Sequence, residues 1–314
     1  LFRSITYLHF DGLVSPDFCD EGISLKELKA KFLSSADFEK RKNAGAMINK
    51  QSADLFERAA ESKRFGNLKA SAFINKIDSE KEEQFAAITY SSATFSCIVF
   101  RGTDDTIVGW KEDFNLGYLE TVPAQSDALN YLKNIAKNKK LPIKIAGHSK
   151  GGNLAIYSAA MASKEIQEQI QAIYNNNGPG FSKNFFQTGG YKAIQRKIHS
   201  YFPRLSIIGM IFEHDATYTT VESDQKGLYQ HDPFSWHTLP LGFVEEEDTS
   251  KESKIIATTV NNWINELEIE QRELFIETIF TVLKDSKATT NTELTQNIFT
   301  SVKNMIKSKL YLIH

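Results

Sequence analysis

The chain has 314 residues, of which 41% are hydrophobic and 24% charged, with a formal net charge of −2. Such a composition fills a sizeable core and excludes a disordered chain, and Lys and Glu are interspersed, with no basic stripe to hold nucleic acid. The length suits one catalytic domain with helical additions: a helical lead-in over 1–67, a catalytic core over 68–245 and carboxyl-terminal helices over 246–314. Cys19 and Cys97 lie far apart, and Cys97 sits in an apolar run, so no structural disulfide is expected. No apolar run is long enough to span a membrane, and Leu1-Phe2-Arg3-Ser4 lacks a signal-peptide pattern. These features point to the cytoplasm, although a chain opening on Leu1 instead of Met stays compatible with a removed leader.

From Ile23 to about Asn67, Ala, Leu, Phe and Met recur with few breakers, which predicts helices. Three strand-like segments follow, Leu68 to Ile77, Gln84 to Ser91 and Thr94 to Phe100, the last carrying Phe95, Cys97, Ile98, Val99 and Phe100. A helical segment is expected after Pro123 through Asn138, then a short buried strand from Leu141 to Ala146. Asn153 to Ala162 is Ala-rich and helical, and Ile170 to Tyr174 reads as the next strand, which gives βαβ alternation and an α/β fold with a mostly parallel central sheet. After the Asn-rich and Gly-rich loop Asn175 to Gly180 come a helix over about Phe185 to Arg196 and a strand around Ile198 to Phe202. Further strands are expected over Ser206 to Phe212 and Tyr218 to Val221. Beyond Glu245 the pattern is helical again: Ile255, Ile256, Val260, Trp263, Ile264 and Leu267 recur at helical spacing, as do Leu294, Ile298, Val302, Met305, Ile306 and Leu310.

Between the Ile-rich strand and the small-residue helix stands Gly147-His148-Ser149-Lys150-Gly151. A nucleophilic serine on a sharp strand-to-helix turn needs small flanking residues, because the turn brings backbone atoms close together. The helix that follows adds its positive end and the free N–H of Lys150, directed at the oxygen that becomes anionic in a tetrahedral intermediate. Lys150 would act through its backbone, its side chain reaching solvent or a neighbouring acid. The bland alternative is a Gly-rich turn capped by Ser149.

With this elbow, the chain resembles the fungal-type class 3 lipases, and in particular a bacterial lipase-like branch with the elbow GHSKGGN. Cys97-Ile98-Val99-Phe100-Arg101-Gly102-Thr103, followed by Thr106 to Phe114 with Trp110 and Asp113, looks like the strand, oxyanion loop and lid of those lipases. The likeness runs from about Phe85 to Trp236. It implies an α/β-hydrolase fold and an oxyanion hole built from Thr103 and Lys150, with Thr103 adding a hydroxyl, each donor being worth ~3 kcal/mol in the transition state. It also implies a lid over Asp105 to Phe114 in which Trp110 meets an apolar chain. Arg101 reads as a structural ion-pair partner.

In α/β hydrolases the acid and then the base follow the nucleophile. Tyr229-Gln230-His231-Asp232-Pro233-Phe234-Ser235-Trp236 looks like the family's late loop, which makes His231 the candidate base and His214 the runner-up. His148, just before the nucleophile, is expected to point away from the site. The family's acid position falls on Ser200 in Ser200-Tyr201-Phe202-Pro203, so no Asp stands there. Glu213, Asp215, Asp224 and Asp232 are the candidate substitutes, and spacing does not rank them. The leading reading is a serine esterase or lipase acting on a small-molecule or lipid ester with an apolar acyl group. It needs no metal or cofactor, has no predicted protein partner and admits peripheral contact with a membrane. An acyltransferase would use the same serine, and a degenerate hydrolase fold could serve as a lipid-binding or protein-binding module, which the missing acid favours.

Overall fold

A computed structural model describes residues 1–42, 50–214, 217–286 and 288–296. Its centre is a nine-stranded sheet. The amino-terminal side is antiparallel: β1 (Ile23–Ser24), β2 (Lys69–Asp78), β3 (Glu83–Ser91) and β4 (Ser96–Phe100). From β4 the sheet continues in parallel through β5 (Ile143–His148), β6 (Ile170–Asn176), β7 (Ile198–Pro203) and β8 (Thr219–Val221). A short hairpin, β9 (Thr238–Leu239) and β10 (Gly242–Phe243), precedes β11 (Glu245–Glu246), which closes the edge antiparallel to β8.

Both faces of this sheet are covered, so its strands read as apolar runs. The period of two in β4 shows how one strand serves two cores: Ile98 and Phe100 pack on one side, Cys97 and Val99 on the other. The side holding Cys97 is covered by α1 (Phe2–Ile5), α2 (Leu25–Leu33) and α4 (Ser52–Glu61), with α3 (Phe38–Arg41) beside them. A capping box starts α2, the Ser24 hydroxyl accepting from the Glu27 N–H at 3.2 Å while Glu27 reaches back to the Ser24 N–H at 3.1 Å.

After β4 comes α5 (Ile107–Asn115), and the side holding Phe100 is covered by α6 (Pro123–Asn138) and α7 (Lys150–Met161), with α8 (Lys164–Gln169) and α9 (Gly189–Ile194) at the end. Pro123 at the start of α6 lacks only a donor that the first turn would leave unused. The carboxyl-terminal elements are α10 (Lys251–Glu266), α11 (Ile269–Asp285) and α12 (Asn291–Gln296). Strand order and crossovers together give the expected α/β-hydrolase fold, a mixed, mostly parallel sheet flanked by helices.

Two expected elements differ. Ser206 to Phe212 is not a strand: it makes a single 3-10 turn at Ile208–Met210, and Ile208, Ile211 and Phe212 face a cavity instead of a sheet neighbour. The helix expected over Phe185 to Arg196 is broken, because Thr188 caps a new start at Gly189 by accepting from the Tyr191 N–H at 3.2 Å. The periodic residues from Ile298 onward lie outside the described residues.

Candidate active site

β5 ends at His148 and α7 begins at Lys150, which leaves Ser149 alone to turn the chain. Ser149 does so with φ +56° and ψ −133°, a backbone region that side-chain-bearing residues enter only under constraint. Its N–H donates to the Asn176 carbonyl at 3.1 Å, tying the turn to the end of β6. The glycines are sterically required. A Cβ on Gly147 would stand 1.9 Å from the Gly151 carbonyl oxygen, and one on Gly151 would stand 2.3 Å from that of Phe100. The tight elbow therefore presents Ser149 at the carboxyl ends of the strands, before the positive end of a buried helix.

Thr103 follows the end of β4 and lies across the elbow, where a Cβ on Gly102 would come within 3.1 Å of the Ser149 Cβ. The Lys150 N–H belongs to the first helical turn and has no acceptor within its own helix. The Thr103 hydroxyl is already committed, since it donates to Asp113, so only its backbone N–H remains for an oxyanion. Burial pushes the Asp113 carboxyl up to about 6, against the pull of Lys150.

The Lys150 side chain does not reach solvent. It is buried and its Nζ donates to Glu112 Oε2 and to the Gln84 carbonyl, both at 2.7 Å. Glu112, fully buried on α5, also accepts the N–H groups of Gln84 at 3.0 Å and Ala124 at 2.8 Å. Lys111 pairs with Glu82 and Glu277, and Asn115 with Glu82. These bonds tie α5, in the segment Asp105 to Phe114 expected to form a lid, to β3, α6, α7 and α11 around the elbow. Arg101 is buried and structural as expected, bonded to Asp104 at 2.9 Å and Asn75 at 3.0 Å.

His231 stands on the late loop with its ring 4.6 Å from that of His148. His148 was expected to face away, but it lines the same cavity as Ser149 and His231. Its Nε2–H donates to the His231 carbonyl at 2.8 Å, and its Nδ1 lies 3.4 Å from the Tyr7 hydroxyl, so it holds the loop that carries the candidate base. Burial and the neighbouring His231 and Arg3 keep His148 well below the usual histidine range. His231 itself is lowered to about 4 by burial.

His231 Nδ1 meets Asn177, at 2.6 Å from the amide nitrogen position, and the other amide position accepts from Ser206 Oγ. A hydroxyl can donate or accept, so the amide can present either end to the ring. With its oxygen on Nδ1–H, Nε2 is left with a free lone pair. Of the candidate acids, Glu213 pairs with Lys183 at 3.6 Å, Asp224 pairs with His237, and Asp232 caps the turn after it by accepting the Phe234 N–H at 3.0 Å. Asp215 lies outside the described residues. Ser200 bonds Asn175 at 3.2 Å and lines neither cavity at Ser149. His214 packs edge-on against Phe202, likewise away from both cavities. The sequence held one overlooked signal, the run Asn175-Asn176-Asn177 at the carboxyl end of the strand beside the elbow.

Two cavities meet at Ser149. One, of about 220 Å³, is apolar and lies beneath α10 and α11, with Phe114, Val260, Trp263, Ile264 and Ile276 in its wall. The other, of about 190 Å³, is the more polar of the two and holds Thr103, His148 and His231 together with Arg3 and Tyr7 from the amino-terminal segment. Trp110 and Ser149 line both, and the Trp110 indole N–H is buried without a partner.

A strained serine at a glycine-built elbow, facing two cavities at the carboxyl ends of a parallel sheet, defines a lipase-like α/β-hydrolase fold. The Mbeg1-like family model matches residues 59–281, and the chain belongs to that family. Among solved structures it is similar to M37 lipase, with 14% identity over 68% of this chain and 67% of that one and a TM-score of 0.38. Similarity to the native Rhizomucor miehei lipase propeptide complex is at 14% identity, 64% and 67% coverage and a TM-score of 0.37. For a fungal lipase-inhibitor complex the values are 12% identity, 76% and 93% coverage and 0.38. At these levels the class rests on strand order and elbow geometry. No curated protein matches the chain. Among the described residues no helix is long and apolar enough to cross a membrane.

Proposed function

We propose that this protein is a serine carboxylic-ester hydrolase acting on esters of apolar acyl groups. The observation that carries the reading is the position of Ser149, at a positive-φ elbow where the apolar cavity meets the cavity containing His231. Ser149 Oγ attacks the acyl carbon while His231 Nε2 takes its proton, and the carbonyl oxygen becomes an anion held by the N–H groups of Thr103 and Lys150. The bond to the alcohol oxygen then breaks, and His231 gives its proton to that oxygen. Water next attacks the acyl-enzyme, passing a proton to His231. Collapse of the second intermediate releases the acid and returns the proton to Ser149 Oγ.

Asn177 would orient His231 in place of a carboxylate, as asparagine does in cysteine-protease triads. A second reading, a weak or inactive hydrolase fold that binds lipid or protein, is favoured by one observation: no carboxylate meets His231 Nδ1 among the described residues. Hydrolysis of p-nitrophenyl esters separates the two. The enzyme reading expects turnover that falls by at least about a thousandfold in a folded Ser149→Ala variant; equal turnover by both proteins rules it out.

A further inference from the structure

The amino-terminal segment contributes a charge that the hydrolytic steps do not use. Arg3 is 9% exposed and lines the polar cavity beside Ser149, Tyr7 and His231. Its guanidinium lies 4.7 Å over the Trp236 ring and 5.4 Å from that of Phe243. Its Nε is buried without a hydrogen-bond partner, and among the described residues the guanidinium has no ion pair. Of the carboxylates around the cavity, Asp104 pairs with Arg101 and Asp113 accepts from Thr103, while Asp232 accepts the Phe234 N–H and also acts electrostatically on Arg3. Burial lowers Arg3 only to about 10, with Asp232 helping to keep the charge, so it is a cation at neutral pH.

A buried cation balanced only in part by the field of Asp232 is still costly to hold. The faces of Trp236 and Phe243 offset part of that cost and fix the plane of the guanidinium, while its Nε–H is left without a partner. Such a preorganised fork matches a planar carboxylate or a phosphate. The side on which such a ligand sits follows from the chemistry. The leaving alcohol takes its proton from His231, so it must lie on the side of Ser149 where His231 stands, which is the cavity of Arg3. The acyl chain is left with the apolar cavity beneath α10 and α11.

We propose that Arg3 forms a subsite for an anionic group, phosphate or carboxylate, on the alcohol portion of the ester, so that the substrate class is an apolar acyl ester of an anionic alcohol. This rests on the hydrolase reading for its place in catalysis, but the binding itself does not require turnover. Calorimetric titration of the full chain with glycerol 3-phosphate, glycerate and glycerol tests it. The wild-type protein is expected to bind at least one of the two anions at least about tenfold more tightly than glycerol; whichever anion is preferred identifies the group. Arg3→Gln should abolish that preference, and Arg3→Lys, which keeps the charge without the fork, should retain part of it. In parallel, the ratio of kcat/KM for a 1-acyl-glycerol 3-phosphate over that for the matching monoacylglycerol should fall at least about tenfold in Arg3→Gln. Failure of the wild-type protein to prefer either anion overturns the subsite, as does an unchanged preference in a folded Arg3→Gln variant. If Arg3→Gln does not fold, the wild-type titration and Arg3→Lys still decide. Anion binding through Arg3 without any ester hydrolysis would sustain the subsite and remove the hydrolase reading; hydrolysis without anion preference would do the reverse.

Discussion

His231 is neutral over most of the pH range because its ring is desolvated and Nδ1 faces an amide instead of a carboxylate. The base is competent when unprotonated, so the acidic limb of kcat/KM should fall near pH 4, well below the 6.5 of an unperturbed histidine. Asn177→Asp would place a negative charge against the ring, favour the imidazolium and move that limb upward. A pH series on both proteins checks this, and a wild-type limb near 6.5 that Asn177→Asp leaves in place would contradict it. Ser149 and His231 were legible as candidates because local sequence marks an elbow and a late loop. Asn177 was not, because its role arises from the return of the chain past the end of β6, where Ser206 satisfies the other half of its amide. A neutral amide carries no charge by which the sequence could mark it as the partner of a base.

At the scale of elements, α5 and α7 are joined through Lys150 and Glu112. Removing one member strands a buried charge, for which about 3–5 kcal/mol is the usual loss. Lys150→Met should lower stability by that order in denaturant unfolding. The double variant with Glu112→Leu should not regain wild-type stability, because Glu112 also accepts two backbone N–H groups that would be left without partners. Wild-type stability in Lys150→Met would show that the pair holds nothing. The two cavities also separate the roles of two tryptophans. Trp263 meets only the apolar cavity, whereas Trp110 borders both. Trp263→Ala should therefore reduce activity on long acyl esters by more than on acetate esters, and Trp110→Ala should affect both. An effect of Trp263→Ala that is independent of chain length would place the acyl group elsewhere. The sequence could not show which segment roofs this cavity, since the apolar run Ser206 to Phe212 reads equally as a strand and as cavity wall.

Across the whole molecule, the sheet was largely legible because each strand carries its own apolar signal and each crossover helix its own period. The helix Pro123–Asn138 was anticipated to within a residue at its start, and β2 and β3 within a residue or two. What escaped was the contribution of distant segments to one site. Arg3 and Tyr7 reach Ser149 only because α1 packs on the sheet beneath the elbow, and nothing local to the first ten residues announces that contact. α10 and α11 were visible as helices, but their position over the apolar cavity depends on Trp263, Ile264 and Ile276 meeting Ile208 and Ile211 from the other side. The proposed hydrolysis requires Ser149 to be an activated nucleophile. Treatment of the full chain with a fluorophosphonate probe, followed by peptide mapping, tests that directly. The expected result is one phosphonylated residue, Ser149, with labelling lost in Ser149→Ala and greatly slowed in His231→Ala. An unlabelled wild-type protein, or labelling that persists in Ser149→Ala, would contradict it.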